Sequence, residues 1–208
     1  MATATPAQAV KELRELTGLG MMECKSLLTE AGNDLEAAKK LAAQRGKDRA
    51  AKLADRVGTE GTIGSYIHVN NRVGVMVELN CNTDFVARGT EFTALAREIA
   101  MHVAAMAPLV VRREELDAEL VASVRANIRA ELGDVAKKPP EMVEKIVDGK
   151  MAAWFEERVL LDQKWVKDSG KTIRQLIEDK VATIKENITI RRFVRYEVGE
   201  GAAPAAEG

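Results

Sequence analysis

Two alternating runs of residues, joined by a pair of asparagines, constrain the fold of this chain more than any other feature. In the first run, residues 63–69, Ile, Ser, Ile and Val alternate with Gly, Tyr and His. In the second run, residues 73–81, Val, Val, Val, Leu and Cys alternate with Gly, Met, Glu and Asn. Residues two apart lie on the same face of a strand. Because Asn70 and Asn71 tolerate positive φ, the pattern predicts a β-hairpin closed by a primed turn.

Three stretches with helical spacing of apolar residues precede the hairpin, and glycines separate them. They cover approximately residues 10–17, 21–31 and 35–45. Before the third stretch, Asn33 and Glu36 have the spacing of a capping box, in which each side chain would accept a backbone N–H. The pattern predicts a three-helix domain over residues 1–45, followed by a charged linker helix over residues 46–56.

The remaining sequence predicts a core of mixed helices and strands. Alternation returns once, at residues 188–198, and helical spacing returns in four segments, at residues 91–107, 113–132, 141–166 and 171–185. Such a pattern is typical of an α+β fold, with an antiparallel sheet of about three strands packed with helices and a helical hairpin. We expect this core to occupy residues 57–200 and the low-complexity tail, 201–208, to be disordered.

The composition argues against several classes of protein. With 31 basic and 32 acidic residues and 4% aromatic residues, the chain lacks the basic field and the stacking platforms of a nucleic-acid binder. No apolar run approaches the ~20 residues of a membrane span, and residues 1–6 lack the features of a signal peptide. Cys24 and Cys81 give no disulfide framework, which favours the reducing cytoplasm. A nearly neutral, heavily charged surface fits a protein that recognises another protein.

No constellation of residues in the sequence predicts an active site or a metal site. Phosphate-binding loops and hydrolase motifs are missing, and His68 and His102 lie far apart, without cysteines or carboxylates at metal-ligand spacing. We expect Cys24 and Cys81 to be buried structural thiols. The sequence therefore predicts no cofactor, no metal and no enzymatic activity, although an active site assembled from distant residues stays open.

Two features allow both a structural and a functional interpretation. The segment Thr-Asp-Phe-Val lies between the hairpin and a helix. Thr83 or Asp84 could cap a short turn while Phe85 packs inward, or the segment could present a carboxylate and a large apolar side chain to a partner. Met21 and Met22 begin a helix, where neighbours point about 100° apart. We expect one methionine in the core and the other exposed as an adaptable contact.

Several blocks of the sequence resemble the elongation factor Ts family of translation elongation. They are VKELRELTGLGMMECK at residues 10–25, ELNCNTDFVA at 78–87, IAMHVA at 99–104, LDQKWVKD at 161–168 and RFVRYEVGEG at 192–201. The blocks occur in the order that the family has. The resemblance is to the short form of the family, which has a single core unit.

The resemblance implies a ubiquitin-associated-like three-helix N-terminal domain, an α+β core and a function. Members of the family bind elongation factor Tu with GDP, open its nucleotide site and leave when GTP enters. In the family, the Thr-Asp-Phe-Val loop contacts Tu beside that site. Carried over, the nucleotide-displacing residues are Thr83, Asp84, Phe85 and Val86.

The resemblance also implies further contacts with Tu. The N-terminal domain of the family touches the G domain of Tu through a turn region, which here offers Arg14, Met21, Met22 and Lys25. In longer relatives, the histidine of a Gly-Ser-Tyr-x-His block in the second half of the core contacts Tu, and the matching residue here is His68. By the strand pattern alone, His68 would be an ordinary surface residue.

A homodimer follows from the short form. Longer relatives divide the two signatures between two halves of the core, so two short chains could supply them in trans. We expect a two-fold contact through the core sheets. We expect no direct binding of a nucleotide, a nucleic acid or a membrane.

Two other interpretations remain open. In one, residues 6–45 are an adaptor domain of the ubiquitin-associated type, and the core is only a scaffold. In the other, the basic stretch at residues 45–56 contacts RNA, although a solvated helix is the simpler explanation of its charge.

Overall fold

The computed structural model describes residues 6–53, 58–133 and 139–201. The helices are α1 (Pro6–Thr17), α2 (Met21–Glu30), α3 (Leu35–Leu53), α4 (Asp84–Ala87), α5 (Thr90–Met106), α6 (Ala118–Ala130), α7 (Pro140–Arg158) and α8 (Ile173–Ile184). The strands are β1 (Glu60–Ile67), β2 (Val73–Cys81), β3 (Lys164–Trp165), β4 (Asp168–Thr172) and β5 (Thr189–Glu197). Strands β1, β2 and β5 form an antiparallel sheet in the order β1–β2–β5, and β3 pairs with β4. The predicted α+β class is confirmed.

The hairpin forms where alternation predicts it, but its turn is of another kind. A primed two-residue turn of type I′ needs positive φ at both central residues. Here Asn71 alone of the pair has positive φ, at 55°. The N–H of Asn71 donates to the carbonyl of His68 at 2.8 Å, and the N–H of His68 donates to the carbonyl of Val73 at 2.9 Å. The strands are therefore joined by a longer loop with a single left-handed asparagine.

The two faces of this hairpin differ in exposure. The buried side chains of β2 include Val75, Val77 and Leu79. On the other face, the apolar side chains of Ile63, Ile67 and Met76 have exposed fractions from 53% to 62%. Val69, in the loop between the strands, is 88% exposed. Strand β1 is also an edge of the sheet among the described residues. The hairpin therefore presents an apolar surface next to an unpaired strand edge.

The described chain divides into two compact units. The first contains the described residues up to Thr62, which include α1–α3, together with residues 80–92 and residues 174–189. Helices α1–α3 share one core with a residue of α8, and its members include Leu13, Cys24, Leu27, Leu28, Ala38 and Ala182. Arg49 strengthens this contact because its Nη1 donates to the carbonyl of Ala182 at 2.6 Å, while its Nη2 lies 3.1 Å from Glu23 Oε1. Helix α8 thus packs with the N-terminal helices, a contact that the sequence pattern does not indicate.

The start of α3 corrects the predicted capping box. The cap is Asp34, whose Oδ1 accepts the N–H of Ala37 at 2.9 Å. Asn33 instead adopts a left-handed backbone with φ of 63° in the preceding turn, and Glu36 pairs with Lys39 at 2.8 Å. The prediction is wrong because asparagine's tolerance of positive φ serves the turn, which leaves the cap to the next residue.

Helix α3 continues without a break to Leu53. Residues 46–53, for which the sequence predicts a linker helix, are therefore the last turns of α3. Residues 54–57 and 202–208, which include the end of that linker and most of the predicted tail, lie outside the described residues. The division of the chain at residues 45, 56 and 200 stays a prediction.

The second unit contains residues 63–79, the described residues of 93–173, and residues 190–201. Helices α6 and α7 form the predicted helical hairpin, whose core includes Leu132, Val143, Val147 and Met151. Arg125 links the two helices because its Nη2 lies 3.0 Å from Glu144 and 2.6 Å from Asp148.

The prediction of one helix over residues 141–166 is wrong beyond Arg158. A short 3₁₀ helix (Leu160–Asp162) and the β3–β4 hairpin follow α7. The physical reason is long-range hydrogen bonding around Gln163, which is fully buried. Its carbonyl accepts the N–H of Ile173 at 3.0 Å, and its side chain donates to the carbonyl of Glu157 at 2.9 Å.

Candidate functional site

A single helical turn, α4, follows β2 and carries the predicted nucleotide-displacing residues. Thr83 is its N-cap, with extended backbone (φ −126°), and its side-chain oxygen accepts the N–H of Val86 at 3.4 Å. The carbonyl of Thr83 accepts the N–H of Ala87 at 3.1 Å. Of the two residues considered as the cap, Thr83 and Asp84, the structure has Thr83 in that position.

The turn directs Phe85 into solvent. Its side chain is 84% exposed, so the alternative in which Phe85 packs inward is wrong. The interior position near this segment belongs to Phe92, which is 1% exposed. The Asp84 carboxylate is also exposed and lies 3.3 Å from Arg88 Nη2, a surface pair that costs little to break. The turn therefore exposes an aromatic ring and a rearrangeable carboxylate side by side.

A shallow groove lies beside Phe85. It is lined by Val86, Arg88, Gly89, Glu91, Phe92 and Ile184, in addition to Asp84 and Phe85 themselves. At its rim, Lys180 Nζ lies 2.7 Å from Glu91 Oε1. The groove gives a partner an apolar floor and a charged rim next to the projecting ring.

Glu186, just after α8, holds the loop in place. Its Oε2 accepts the N–H of Asn82 and the N–H of Thr83, each at 3.1 Å, and its Oε1 accepts the Thr83 hydroxyl at 2.6 Å. Asn82 Oδ1 in turn accepts the N–H of Asn187 at 2.9 Å. Sequence reasoning missed Glu186, because no local pattern marks a carboxylate whose partner lies 103 positions away.

Helices α1 and α2 place the four predicted N-terminal contact residues around one groove. Arg14, Met21, Met22 and Lys25 all line it, together with Val10 and Leu28. Met21 and Met22 are 59% and 75% exposed, so the prediction that one of them lies in the core is wrong. The reason is that the inward side of α2 is already filled by Cys24, Leu27 and Leu28. Both methionines are thus available to a partner, within a basic rim.

His68 belongs to the second unit and is exposed at the end of β1. Its Nδ1 lies 3.1 Å from the hydroxyl of Tyr66, and the two rings are tilted with their centroids 6.1 Å apart. Tyr66, from the same sequence block, therefore orients the imidazole. Asp84, Phe85 and the N-terminal groove belong to the first unit.

The two cysteines are structural. Cys24 and Cys81 are buried, and burial raises the pKa of both thiols above the ordinary value. They are therefore protonated and poor nucleophiles, which confirms the expectation. The described residues contain no group of three or more metal-ligating side chains. Across the same part of the chain, no helix is long and apolar enough to pass through a bilayer.

His102 is also buried, and both of its ring nitrogens have partners. The N–H of Val166 donates to Nδ1 at 3.2 Å, so the proton lies on Nε2, which is 3.0 Å from Gln163 Oε1. Burial lowers the pKa of His102, against the opposing effect of its hydrogen bond to Gln163. The residue is a neutral core histidine.

The chain is similar to one protein family over nearly its whole length. The family described as "Elongation factor TS" matches residues 8–200. The proteins named elongation factor Ts from Geobacter metallireducens and Carboxydothermus hydrogenoformans are each 48% identical, over 95% and 97% of this chain and 91% and 92% of their own length. The one from Anaeromyxobacter dehalogenans strain 2CP-1 is 49% identical over 94% of this chain and 89% of its own length.

Proposed function

Because the chain belongs to the elongation factor Ts family and is a nucleotide exchange factor for elongation factor Tu, not an enzyme, we propose that it displaces GDP with the capped turn that carries Asp84 and Phe85. The observation that best supports this role is the 84% exposure of Phe85 on a backbone that hydrogen bonds fix on both sides. Holding a large apolar ring in water contributes nothing to folding. Insertion into a partner gives that exposure a function.

Asp84 and Phe85 have separate tasks in this proposal. Phe85 enters a gap in Tu beside the nucleotide site and stabilises the open form, in which that gap is wide enough for the ring. Asp84 brings a carboxylate toward the phosphates and the Mg²⁺ of bound GDP. A carboxylate there repels phosphate and competes for the metal, so both interactions that hold GDP weaken.

Phe85 alone does not supply the whole effect. The coupling is reciprocal, since this protein weakens GDP binding by the same factor by which GDP weakens its own binding. An acceleration of several orders of magnitude requires about 1.4 kcal/mol per tenfold step, whereas one aromatic anchor supplies roughly 2–4 kcal/mol. Asp84 adds its effect on the phosphates and the metal, while the groove with Arg14, Met21, Met22 and Lys25 holds Tu as the turn acts. His68 adds a contact from the second unit.

The test of the proposed function is the release of labelled GDP from purified elongation factor Tu, with and without this protein. We expect release to accelerate with its concentration and then to level off. Binding to Tu without faster release would favour the adaptor interpretation. No effect on either binding or release would refute the proposal. On the same family grounds, we place the protein in the cytoplasm, together with Tu.

We also propose that the protein is a homodimer through the exposed face of the hairpin. Ile63, Ile67, Val69 and Met76 present apolar surface beside the edge strand β1, and a second copy would cover both. A two-fold contact uses the same patch twice, which suits a single strand edge.

Sedimentation equilibrium tests the dimer. The double variant Ile67→Lys/Met76→Lys should sediment as a monomer, whereas Leu120→Lys, which changes an exposed leucine of α6 (43% exposed), should behave as the wild type does. A monomeric wild-type protein with full exchange activity at working concentration would contradict the dimer.

A further inference from the structure

One carboxylate controls the geometry of the turn that carries Phe85. Glu186 accepts three hydrogen bonds, from two successive backbone N–H groups and from the Thr83 hydroxyl. The same hydroxyl oxygen accepts the N–H of Val86. Because the hydroxyl donates to Glu186, its lone pair is free to face Val86. Glu186 therefore orients the group that caps α4, in addition to fixing the backbone just before it.

Glu186 is itself fixed by the first unit. It follows α8 after Lys185, which has a left-handed backbone with φ of 65°, and the N–H of Lys185 still bonds to the carbonyl of Val181 at 2.9 Å. The residue after Val181, Ala182, is buried in the core of helices α1–α3. The chain of contacts thus runs from that core through α8 and Glu186 to the turn.

The turn needs such support. Helix α4 has four residues, and helices shorter than ~12–15 residues are marginal in water on their own. An apolar groove with Phe92 and Ile184 lies next to Phe85. A loosely held turn would let the ring lie down in that groove, because burial of an aromatic ring is favourable. The projecting ring therefore has to be held away from a competing position.

We infer that Glu186 is a positioning residue for exchange: it keeps Phe85 projecting before Tu arrives, so that the ordering of the turn is complete when the complex forms. This inference rests on the proposed function of Phe85. Preorganisation of this kind lowers the cost of reaching the bound geometry. Loss of Glu186 should thus reduce the maximal rate of GDP release more than the affinity for Tu.

The experiment compares Glu186→Ala, Glu186→Gln and wild type in labelled GDP release over a range of protein concentrations. We expect Glu186→Ala to lower the plateau rate about tenfold, with a change in the half-saturating concentration of less than about threefold, because the turn and not the groove is loosened. Glu186→Gln, which keeps the length and one acceptor, should lie between. The matched control is Glu144→Gln, which removes a carboxylate paired with Arg125 and Arg129 in the helical hairpin and should leave the rate unchanged.

Two further readouts separate positioning from a merely structural role. Amide hydrogen exchange of residues 82 and 83 should accelerate in Glu186→Gln, whose thermal unfolding shows whether the fold is intact. In an Asp84→Ala/Phe85→Ala background, Glu186→Ala should slow release by less than about twofold, since both groups that the turn presents are gone.

Several results would overturn the inference. These are an unchanged plateau in Glu186→Ala, an unchanged exchange rate of the two amides, or a full tenfold loss in the Asp84→Ala/Phe85→Ala background as well. If Glu186→Ala fails to fold, Glu186→Gln and Thr83→Val carry the same comparison. A wild-type protein that fails to accelerate GDP release would refute the proposed function instead, so the two failures are distinguishable.

Discussion

Replacing Gly64 with alanine tests whether the glycine of the Gly-Ser-Tyr-x-His block is needed for packing inside this protein or for contact with a partner. Gly64 is buried on β1, and a Cβ added there would lie 2.5 Å from the carbonyl oxygen and 2.7 Å from the Cβ of Ala96 on α5. Non-bonded carbon atoms are at their optimum about 3.5–4.0 Å apart. Helix α5 would therefore have to move from the strand by roughly 1 Å.

The cost follows from the atoms involved. Overpacking of a core costs about 1–3 kcal/mol, and backbone atoms cannot rotate away, so we expect the upper end of that range. The lower entropy of the unfolded alanine chain returns about 0.4–1 kcal/mol. The net loss is about 2 kcal/mol, which lowers Tm by roughly 4–8 °C for a chain of this size.

Thermal and urea unfolding of Gly64→Ala measure this loss, and Gly149→Ala on α7 is the matched control. A Cβ at Gly149 would have nothing within 4 Å, so alanine should raise stability by up to ~1 kcal/mol as the better helix former. Adding Ala96→Gly to Gly64→Ala should restore only part of the loss, because the Ala96 carbonyl remains. Wild-type stability in Gly64→Ala would refute the packing argument. Normal stability of Gly64→Ala combined with slower GDP release would also refute the packing argument, because Gly64 would then be a contact residue.

Further predictions concern the buried histidine and the N-terminal groove. The pKa of His102 is lowered in the folded chain because the residue is buried. Its contribution to stability is therefore fully present above the ordinary pKa of about 6.5 and is lost as the pH falls from there through the lowered pKa, since the unfolded chain binds the proton more tightly. Urea unfolding between pH 7.5 and 5.5 should show this fall, and an equal fall in His102→Gln would contradict the assignment. Met22→Ala should weaken binding to Tu by about fivefold, or about 1 kcal/mol, without changing the plateau rate of GDP release; a lower plateau at unchanged affinity would argue against a holding role for the groove. Lys25→Glu should slow association with Tu several-fold at low ionic strength and little at high ionic strength, as stopped-flow mixing at two salt concentrations can show. If Lys25→Glu associates with Tu at the wild-type rate at both salt concentrations, the rim has no electrostatic role.

Local patterns predicted the elements that depend on local physics. Strict alternation over residues 73–81 predicted β2, and the glycines at positions 18 and 32, which both adopt positive φ, marked the ends of α1 and α2. The resemblance to the family picked out Phe85, whose exposure then excluded its packing inward.

Features set by distant contacts could not be predicted in this way. The end of α7 depends on hydrogen bonds made by the buried Gln163. The spacing of apolar residues in this part of the sequence fits a longer helix equally well. Glu186 resembles any other surface carboxylate until the fold brings it to Thr83. The exposure of both Met21 and Met22 could not be predicted, because the pattern alone does not show that Cys24, Leu27 and Leu28 already fill the inward side of α2.

The most direct test of the proposed mechanism is the plateau rate of GDP release from elongation factor Tu with Phe85→Ala. Because Phe85 is 84% exposed, its loss should leave the Tm of this protein unchanged. Loss of an anchor worth roughly 2–4 kcal/mol should lower the plateau by at least about 30-fold. Leu109→Ala, which removes another exposed apolar side chain (59% exposed), should keep the wild-type rate. A Phe85→Ala protein that folds normally and releases GDP at the wild-type plateau would contradict the account.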